Sequence, residues 1–216
     1  MYLPDHFAET NPERLRELIA QHPLGALVTV GRSGLVANHI PFLLDEQSGS
    51  QGTLIGHVAR RNDVWREREP DGEALVIFQG AGAYISPNWY PTKQATHEVV
   101  PTWNYAVAHV NGRVVVHEDA KWLRGVVGRL TKIMESAEPS PWKMGDAPQD
   151  YLNARLEEIV GIEIPISRII GKWKVSQNRP EVDRFGVVSN LLTRGRQQDQ
   201  AMVELVRATM STGDHE

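Results

Sequence analysis

The chain of 216 residues carries 23 basic and 27 acidic residues, a net charge of −4 with histidine neutral, and no cysteine. With 41% hydrophobic and 23% charged residues it has the composition of an ordinary globular protein long enough for one large core, which excludes a disordered polymer. The missing thiols exclude disulfides, thiolate metal sites, iron–sulfur clusters and a cysteine nucleophile, and the net acidity argues against a broad nucleic-acid surface.

Thr10 or Asn11 followed by Pro12 and Glu13 marks a helix start, with Leu15, Leu18 and Ile19 as its apolar stripe and His22-Pro23 as its stop. The period then becomes strand-like: residues 26–30 and 35–44 form a hairpin around Gly31-Arg32-Ser33-Gly34. After a polar loop, residues 53–58 make a third strand that runs into Ala59-Arg60-Arg61-Asn62-Asp63, where Asn62 or Asp63 caps a short helix. Residues 74–78 and 83–86 read as two separate strands. Two alternating segments meet at Asn111-Gly112, the dipeptide of a type I′ hairpin. That register sets His109 opposite Val114 and Tyr105 opposite Glu118, and places Trp103, Tyr105, Val107 and His109 on one face. Leu123, Val126, Val127, Leu130 and Ile133 have helical spacing within residues 120–134, and a second helix follows over about 148–157. A strand at 159–164 ends near Pro165, extended character resumes over 167–175, and two helices are expected at 181–192 and 197–210. The sum is a mainly β chain of the α+β class: about seven strands in an antiparallel barrel with peripheral helices. The expected division is a barrel domain at 1–178 and a C-terminal helical appendage at 179–216.

The chemistry of strong motifs is missing. There is no Gly-x-x-x-x-Gly-Lys-Ser/Thr loop and no Gly-x-Ser-x-Gly; Gly80-Ala81-Gly82 is not completed to Gly-x-Gly-x-x-Gly. His97-Glu98-Val99-Val100-Pro101 puts proline where a zincin needs its second histidine, and the eight histidines fall at no metal-ligand spacing. No catalytic residue and no metal is assigned. The residues 1–6 lack the basic and apolar regions of a signal peptide and no apolar run is long enough to span a bilayer, so the expectation is a cytoplasmic protein without a membrane partner.

Polar-aromatic stretches remain. His57-Val58-Ala59-Arg60-Arg61-Asn62 sets two guanidiniums and an amide where a strand yields to a helix, suited to a terminal phosphate or simply to a solvated helix start. Gln79 ends a buried strand, facing either a ring edge or solvent. Residues 86–91 and Pro101-Thr102-Trp103-Asn104-Tyr105 combine rigid turns, rings and amides, suited to a flat heterocycle or to packing under a long loop. Lys172, Lys174 and Ser176 share one strand face that leads to Gln177, Asn178 and Arg179, and also fit an edge strand guarded by lysine. Together these favour a phosphorylated planar cofactor over a catalytic side chain.

These blocks resemble the PaiB-type FMN-binding negative transcriptional regulators. The resemblance is carried by Met1-Tyr2-x-Pro4-x-His6-Phe7, Gly56-His57-Val58-Ala59-Arg60-x-Asn62, Phe78-Gln79-Gly80 with Ala83-Tyr84-Ile85-Ser86-Pro87-x-Trp89-Tyr90, Val100-Pro101-Thr102-Trp103-Asn104-Tyr105, and Lys172-x-Lys174-x-Ser176-Gln177-Asn178-Arg179. It runs from Met1 to about Leu192 and implies a split β-barrel, related to pyridoxamine-phosphate oxidases and flavin reductases, that forms a homodimer with FMN at the interface. By that resemblance Asn38, His39 and Ile40 line the isoalloxazine, and Arg60 and Asn62, in the segment with His57, Val58 and Ala59, contact the phosphate. Gln79 approaches the ring, Trp103, Asn104 and Tyr105 line the pocket, and Lys174, Ser176, Gln177, Asn178 and Arg179 close it from the partner subunit.

Three functions follow: a flavin-binding repressor that contacts DNA, an FMN-dependent oxidoreductase resembling flavin reductases, and a haem-binding or haem-degrading split barrel. A helix–turn–helix would have to come from residues 181–210, where Arg194 and Arg196 flank Gly195. From Arg179 to Met210 there are five arginines and four acidic residues, a nearly neutral segment that suits two packing helices better than a DNA surface.

Overall fold

The computed structural model describes residues 1–32, 34–69 and 72–210. In chain order its strands and helices are β1 (Ala8–Glu9), α1 (Pro12–Gln21), β2 (Leu24–Gly31), β3 (Gly34–Pro41), β4 (Leu43–Asp45), β5 (Thr53–Ala59), α2 (Val64–Glu67), β6 (Glu73–Ile85), α3 (Lys93–Thr96), β7 (Thr102–Arg113), β8 (Val115–His117), α4 (Ala120–Met134), α5 (Gln149–Glu157), β9 (Ile159–Lys174), α6 (Glu181–Arg194) and α7 (Gln197–Ala208). The sheet runs β3-β2-β6-β7-β9-β5-β4, with β1 and β8 also paired to β9. Pairings β2–β3, β2–β6, β4–β5, β5–β9, β8–β9 and β1–β9 are antiparallel, as the alternating pattern predicts.

Contacts divide the chain into two compact units, one built from Met1–Leu18, Gln79–Ala108 and the segment from Ile170 onward, the other from Ile19–Phe78 and His109–Ile169. The helices after residue 178 group with the unit that also holds residues 79–108. The cause is local packing. The buried Asp183 carboxylate accepts hydrogen bonds from the Thr92 N–H (3.1 Å) and hydroxyl (2.7 Å), and α6 lies against Trp89 at Gly186.

In the second unit β2 and β3 form the expected hairpin, paired from Leu24↔Pro41 to Gly31↔Gly34. Gly34 has φ +104, a conformation that needs glycine; Ser33 lies outside the described residues. Helix α4 starts on Asp119, whose carboxylate accepts the Trp122 N–H at 2.8 Å. It buries Leu123, Val126 and Leu130, and Ile55 of β5 joins Val126 and Leu130 in one cluster with Leu43 and Trp122 against it. In the first unit α1 begins where Asn11 Oδ1 accepts the Glu13 N–H at 2.9 Å, confirming Asn11 over Thr10. Leu15 fits over Gly171, where a Cβ would lie 2.3 Å from its side chain.

Three expected interruptions are absent, each for a reason sequence spacing does not carry. Gly80-Ala81-Gly82 does not separate two strands, because β6 continues through it. Pro165 does not end β9, because it sits opposite Thr53, where β5 begins and the Ile166 N–H turns to the Gly52 carbonyl (3.1 Å), so its missing N–H falls at the end of a ladder. Asn111-Gly112 is not a turn: β7 runs straight through it, so the pairs expected around that turn do not form, and β8 pairs instead with β9. Gly112 is needed for close approach, since a Cβ there would lie 2.3 Å from the Pro165 carbonyl oxygen and 2.6 Å from Ile164 Cγ2. Gly112→Ala is accordingly expected to lose about 1–3 kcal/mol of stability in urea unfolding; an unchanged midpoint would contradict the contact.

Candidate functional site

The expected site residues fall into two groups, one in each unit. In the second unit, β3 carries Asn38, His39 and Ile40, and alternation turns the exposed His39 away from half-buried Asn38 and buried Ile40. Strand β5 reaches β3 at Gly56, where a Cβ would lie 2.9 Å from the Pro41 carbonyl oxygen and 3.2 Å from Ile40 Cγ2. A glycine is required there for the two strands to approach. The next residues, His57 and Val58, continue β5; Val58 is buried in the core and Ala59 is exposed. Asn62 then follows in the turn before α2. Its Oδ1 accepts the Val64 N–H at 3.0 Å, and its Nδ2 donates to Asn38 Oδ1 at 2.7 Å. Of the two caps expected, Asp63 stands at the N-cap position without a side-chain bond, while Asn62, one residue earlier, supplies the oxygen for the first helical N–H and adds the amide pair with Asn38.

Two polar atoms in this group are buried without a partner: Asn38 Nδ2 and His57 Nδ1. An unpaired buried donor or acceptor costs about 1–3 kcal/mol, so such atoms mark where a ligand or water completes the structure. Burial also holds the His57 imidazole below its usual value of 6.5, which leaves the ring neutral at pH 7. Below about pH 6.5 the unfolded chain takes up a proton that the buried ring resists, so stability present above that pH is lost as the pH falls. The urea midpoint should therefore drop between about pH 7.5 and 5.5, and the drop should shrink in His57→Gln; an equal drop in both proteins would contradict this origin.

Arg60 and Asn62 do not converge. While Asn62 turns to Asn38, the Arg60 guanidinium turns to the end of α5: Nε donates to the Glu157 carbonyl (2.7 Å), Nη2 to the Ile159 carbonyl (3.2 Å), and Nη1 pairs with Glu118 (2.5 Å). A cation on the last carbonyls of a helix complements its dipole. The same guanidinium edges a cleft of about 500 Å³ with Glu118, Lys121, Arg124 and Asn153.

The first unit holds the other group. Asn104 is buried on β7 and donates from Nδ2 to Ser176 Oγ at 2.8 Å, while its neighbour Trp103 is 58% exposed and meets Tyr84 edge-on. Ser176 is buried in a left-handed conformation, φ +66, a strained state for serine that its surroundings must enforce. They do so by local bonds: Gln177 Oε1 accepts the Val175 N–H (2.8 Å), and the Arg179 N–H reaches the Ser176 carbonyl (2.9 Å). Lys174 Nζ donates to Thr102 Oγ1, and Arg179 lies over the buried Tyr90 ring at 4.8 Å. Gln79 and Asn178 are exposed. Sequence reasoning missed two partners here. Lys172 is 7% exposed, donates to the Tyr2 carbonyl at 2.9 Å and sits 5.5 Å from the Tyr105 ring centre; Tyr90 keeps a buried hydroxyl without a partner. Alternation placed Lys172 on the right strand face, but no local signal ties it to a residue 170 positions away.

Comparison with known proteins defines the class first. The fold is shared with flavocytochrome Anf3 of Azotobacter vinelandii at 10% or less sequence identity (9%), TM-score 0.56, covering 77% of this chain and 69% of that one, and is the split-barrel fold expected from the sequence. The chain belongs to the family described as "Putative FMN-binding domain", which it matches over residues 1–168. It is 31% identical to protease synthase and sporulation protein PAI 2 of Bacillus subtilis, over 95% of this chain and 96% of that protein. It is also 35% identical to an uncharacterized protein of Emericella nidulans over 96% of each chain. The protein is thus a flavin-binding split-barrel protein of the PaiB type, and its cofactor is FMN.

Proposed function

We propose that the protein is an FMN-dependent oxidoreductase of the cytoplasm, a homodimer that completes its flavin pocket across the subunit interface. FMN supplies the electron- and hydride-accepting ring that no side chain of this chain provides. The residues fit it: Asn38 Nδ2 and His57 Nδ1 are buried polar atoms awaiting partners, and the edge of a flavin ring offers both acceptors and a donor. By the family resemblance Trp103, Asn104 and Tyr105, with Gln79, would offer planar and amide surface, and the Lys174–Arg179 block would close the pocket from the partner subunit. Arg60 takes the phosphate by exchanging its exposed partner Glu118, whose side chain is 56% exposed; a surface pair of this kind is worth at most about 1 kcal/mol.

One observation carries the preference for redox chemistry over direct repression. Three arginines of the C-terminal helix pair are engaged, Arg184 with the Thr209 carbonyl, Arg194 with Asp199 and the Tyr84 carbonyl, and Arg207 with Glu204, while Arg196 is exposed at the start of α7. Helix α7 presents Gln197, Gln198, Gln200, Ala201 and the Glu204–Arg207 pair outward, which is not a concentrated phosphate-binding face. The second reading, a negative transcriptional regulator, is favoured by the full-length similarity to PAI 2. NAD(P)H-driven flavin reduction measured beside salt-dependent DNA retention separates them. Turnover without sequence-specific retention is expected; retention without turnover would favour the regulator. Light scattering should give the mass of a dimer with FMN present, and a monomer would contradict the interfacial pocket.

A further inference from the structure

Asn62 holds both ends of its side-chain amide in use, and this fixes the polarity of its neighbour. The Val64 main-chain N–H has only a hydrogen to offer, so the atom of Asn62 that faces it at 3.0 Å must be the oxygen. The nitrogen of Asn62 therefore points the other way, 2.7 Å from Asn38, and Asn38 must answer with its oxygen. The opposite orientation of Asn38 would set two N–H groups against each other. What remains is Asn38 Nδ2, a buried donor with no partner. A main-chain N–H at the start of α2 thus determines, through two amides, that this point of the site presents a donor.

We propose that Asn62 is a positioning residue that locks the Asn38 amide with its N–H toward the cofactor, so that the site takes an acceptor atom there and rejects a donor. This rests on the assignment of FMN to the β3–β5 face, and it replaces the direct phosphate contact expected of Asn62 with an indirect role. An acceptor on FMN belongs either to the ring carbonyls and nitrogens or to the phosphate; both satisfy the same N–H, and binding of riboflavin, which has no phosphate, distinguishes them.

Asn62→Asp gives the test its sharpest form. The carboxylate still accepts the Val64 N–H, so the cap survives, but it has no N–H to offer Asn38. Asn38 then turns its own nitrogen inward and presents oxygen outward, reversing the polarity of the site. FMN affinity should fall about tenfold or more, the scale of one lost hydrogen bond with an oxygen left facing an acceptor. The apoprotein should unfold at an unchanged urea concentration, and the carbonyl stretch of any bound flavin should move to higher frequency if the acceptor is a ring carbonyl. Asn38→Asp removes the donor without touching Asn62 and should give the same loss. If Asn62→Asp does not fold, Asn62→Ser keeps an acceptor for Val64 while releasing Asn38, and an intermediate loss is expected. Equal losses for riboflavin and FMN place the acceptor on the ring, whereas a loss for FMN alone places it on the phosphate, and both support the lock. Wild-type affinity in the folded Asn62 variant overturns it, as does a loss confined to Asn38→Asp. Failure of the wild-type protein to bind FMN at all is a separate result, which removes the assignment beneath the proposal.

Discussion

Replacing Gly186 with alanine should lower stability by about 2 kcal/mol or more, although alanine is ordinarily the better helix residue. Gly186 lies inside α6, where helix propensity alone favours alanine by about 1 kcal/mol. The neighbouring turn reverses the sign. A Cβ at Gly186 would lie 2.1 Å from the Trp89 carbonyl oxygen and 2.9 Å from Pro91 Cδ, and neither belongs to a side chain that can swing aside. The Pro87–Trp89 turn is itself fixed, since Ser86 Oγ accepts the Asn88 N–H and Asp183 holds Thr92. Either α6 must move off the turn or the turn must break, and overpacking of this kind costs typically 1–3 kcal/mol and at times more. Urea unfolding followed by far-UV circular dichroism gives the measurement. A midpoint equal to or above that of the wild type would mean that α6 does not rest on this turn.

The second large effect is expected at the junction of α6 and α7. Asp199 is 1% exposed, and Arg194 meets it with two nitrogens, Nε at 2.7 Å and Nη2 at 2.5 Å, while its third nitrogen reaches the Tyr84 carbonyl at 3.0 Å. The guanidinium also lies 5.0 Å from the Trp89 ring centre. Arg194→Met fills much of the same volume but leaves a buried carboxylate without its cation, which costs about 3–5 kcal/mol in comparable sites. The hydrogen bonds from Arg194 hold the Asp199 carboxyl below its ordinary value of 3.8. Because the folded value is the lower one, the pair stabilises fully above the unfolded value and is lost as the pH falls through the folded one. In Arg194→Met the unpaired buried carboxyl instead takes up a proton above its ordinary value, so the difference between the two proteins should be largest at neutral and higher pH and shrink steadily as the pH is lowered from there through about 4. A difference under about 1 kcal/mol at pH 7 would show that Asp199 is reached by water. The same geometry bears on function, since an arginine spent on an internal carboxylate does not reach a DNA phosphate.

Much of the fold was legible because local chemistry wrote it. Asn11 before Pro12 and Gly34 after the β2 strand each act within three residues of themselves, and each works as its type predicts. The errors share a cause. Gly112 was given to a turn because Asn-Gly favours one, yet its smallness serves the Pro165 carbonyl, more than 50 residues away in sequence; Pro165 itself is tolerated only because of where β5 begins. Spacing reports what a residue does to its neighbours and says nothing about which distant backbone will approach it. The candidate site divides in the same way. His57, Asn62, Asn104 and Ser176 were legible as residue types in compact blocks, Asn38 only through the family resemblance, and the cap was narrowed to Asn62 or Asp63. The pairing of Asn62 with Asn38, of Asn104 with Ser176 and of Arg60 with the end of α5 was not, because each joins segments that only the folded sheet brings together.

The central claim is that this chain holds FMN where its buried polar atoms lack partners, and the most direct measurement is titration of FMN into the purified protein, followed by quenching of flavin fluorescence. The account predicts saturable quenching at about one FMN per chain with a dissociation constant in the micromolar range or tighter, roughly 8 kcal/mol of binding free energy. Flavin fluorescence that stays unchanged as folded protein is added in excess would contradict it.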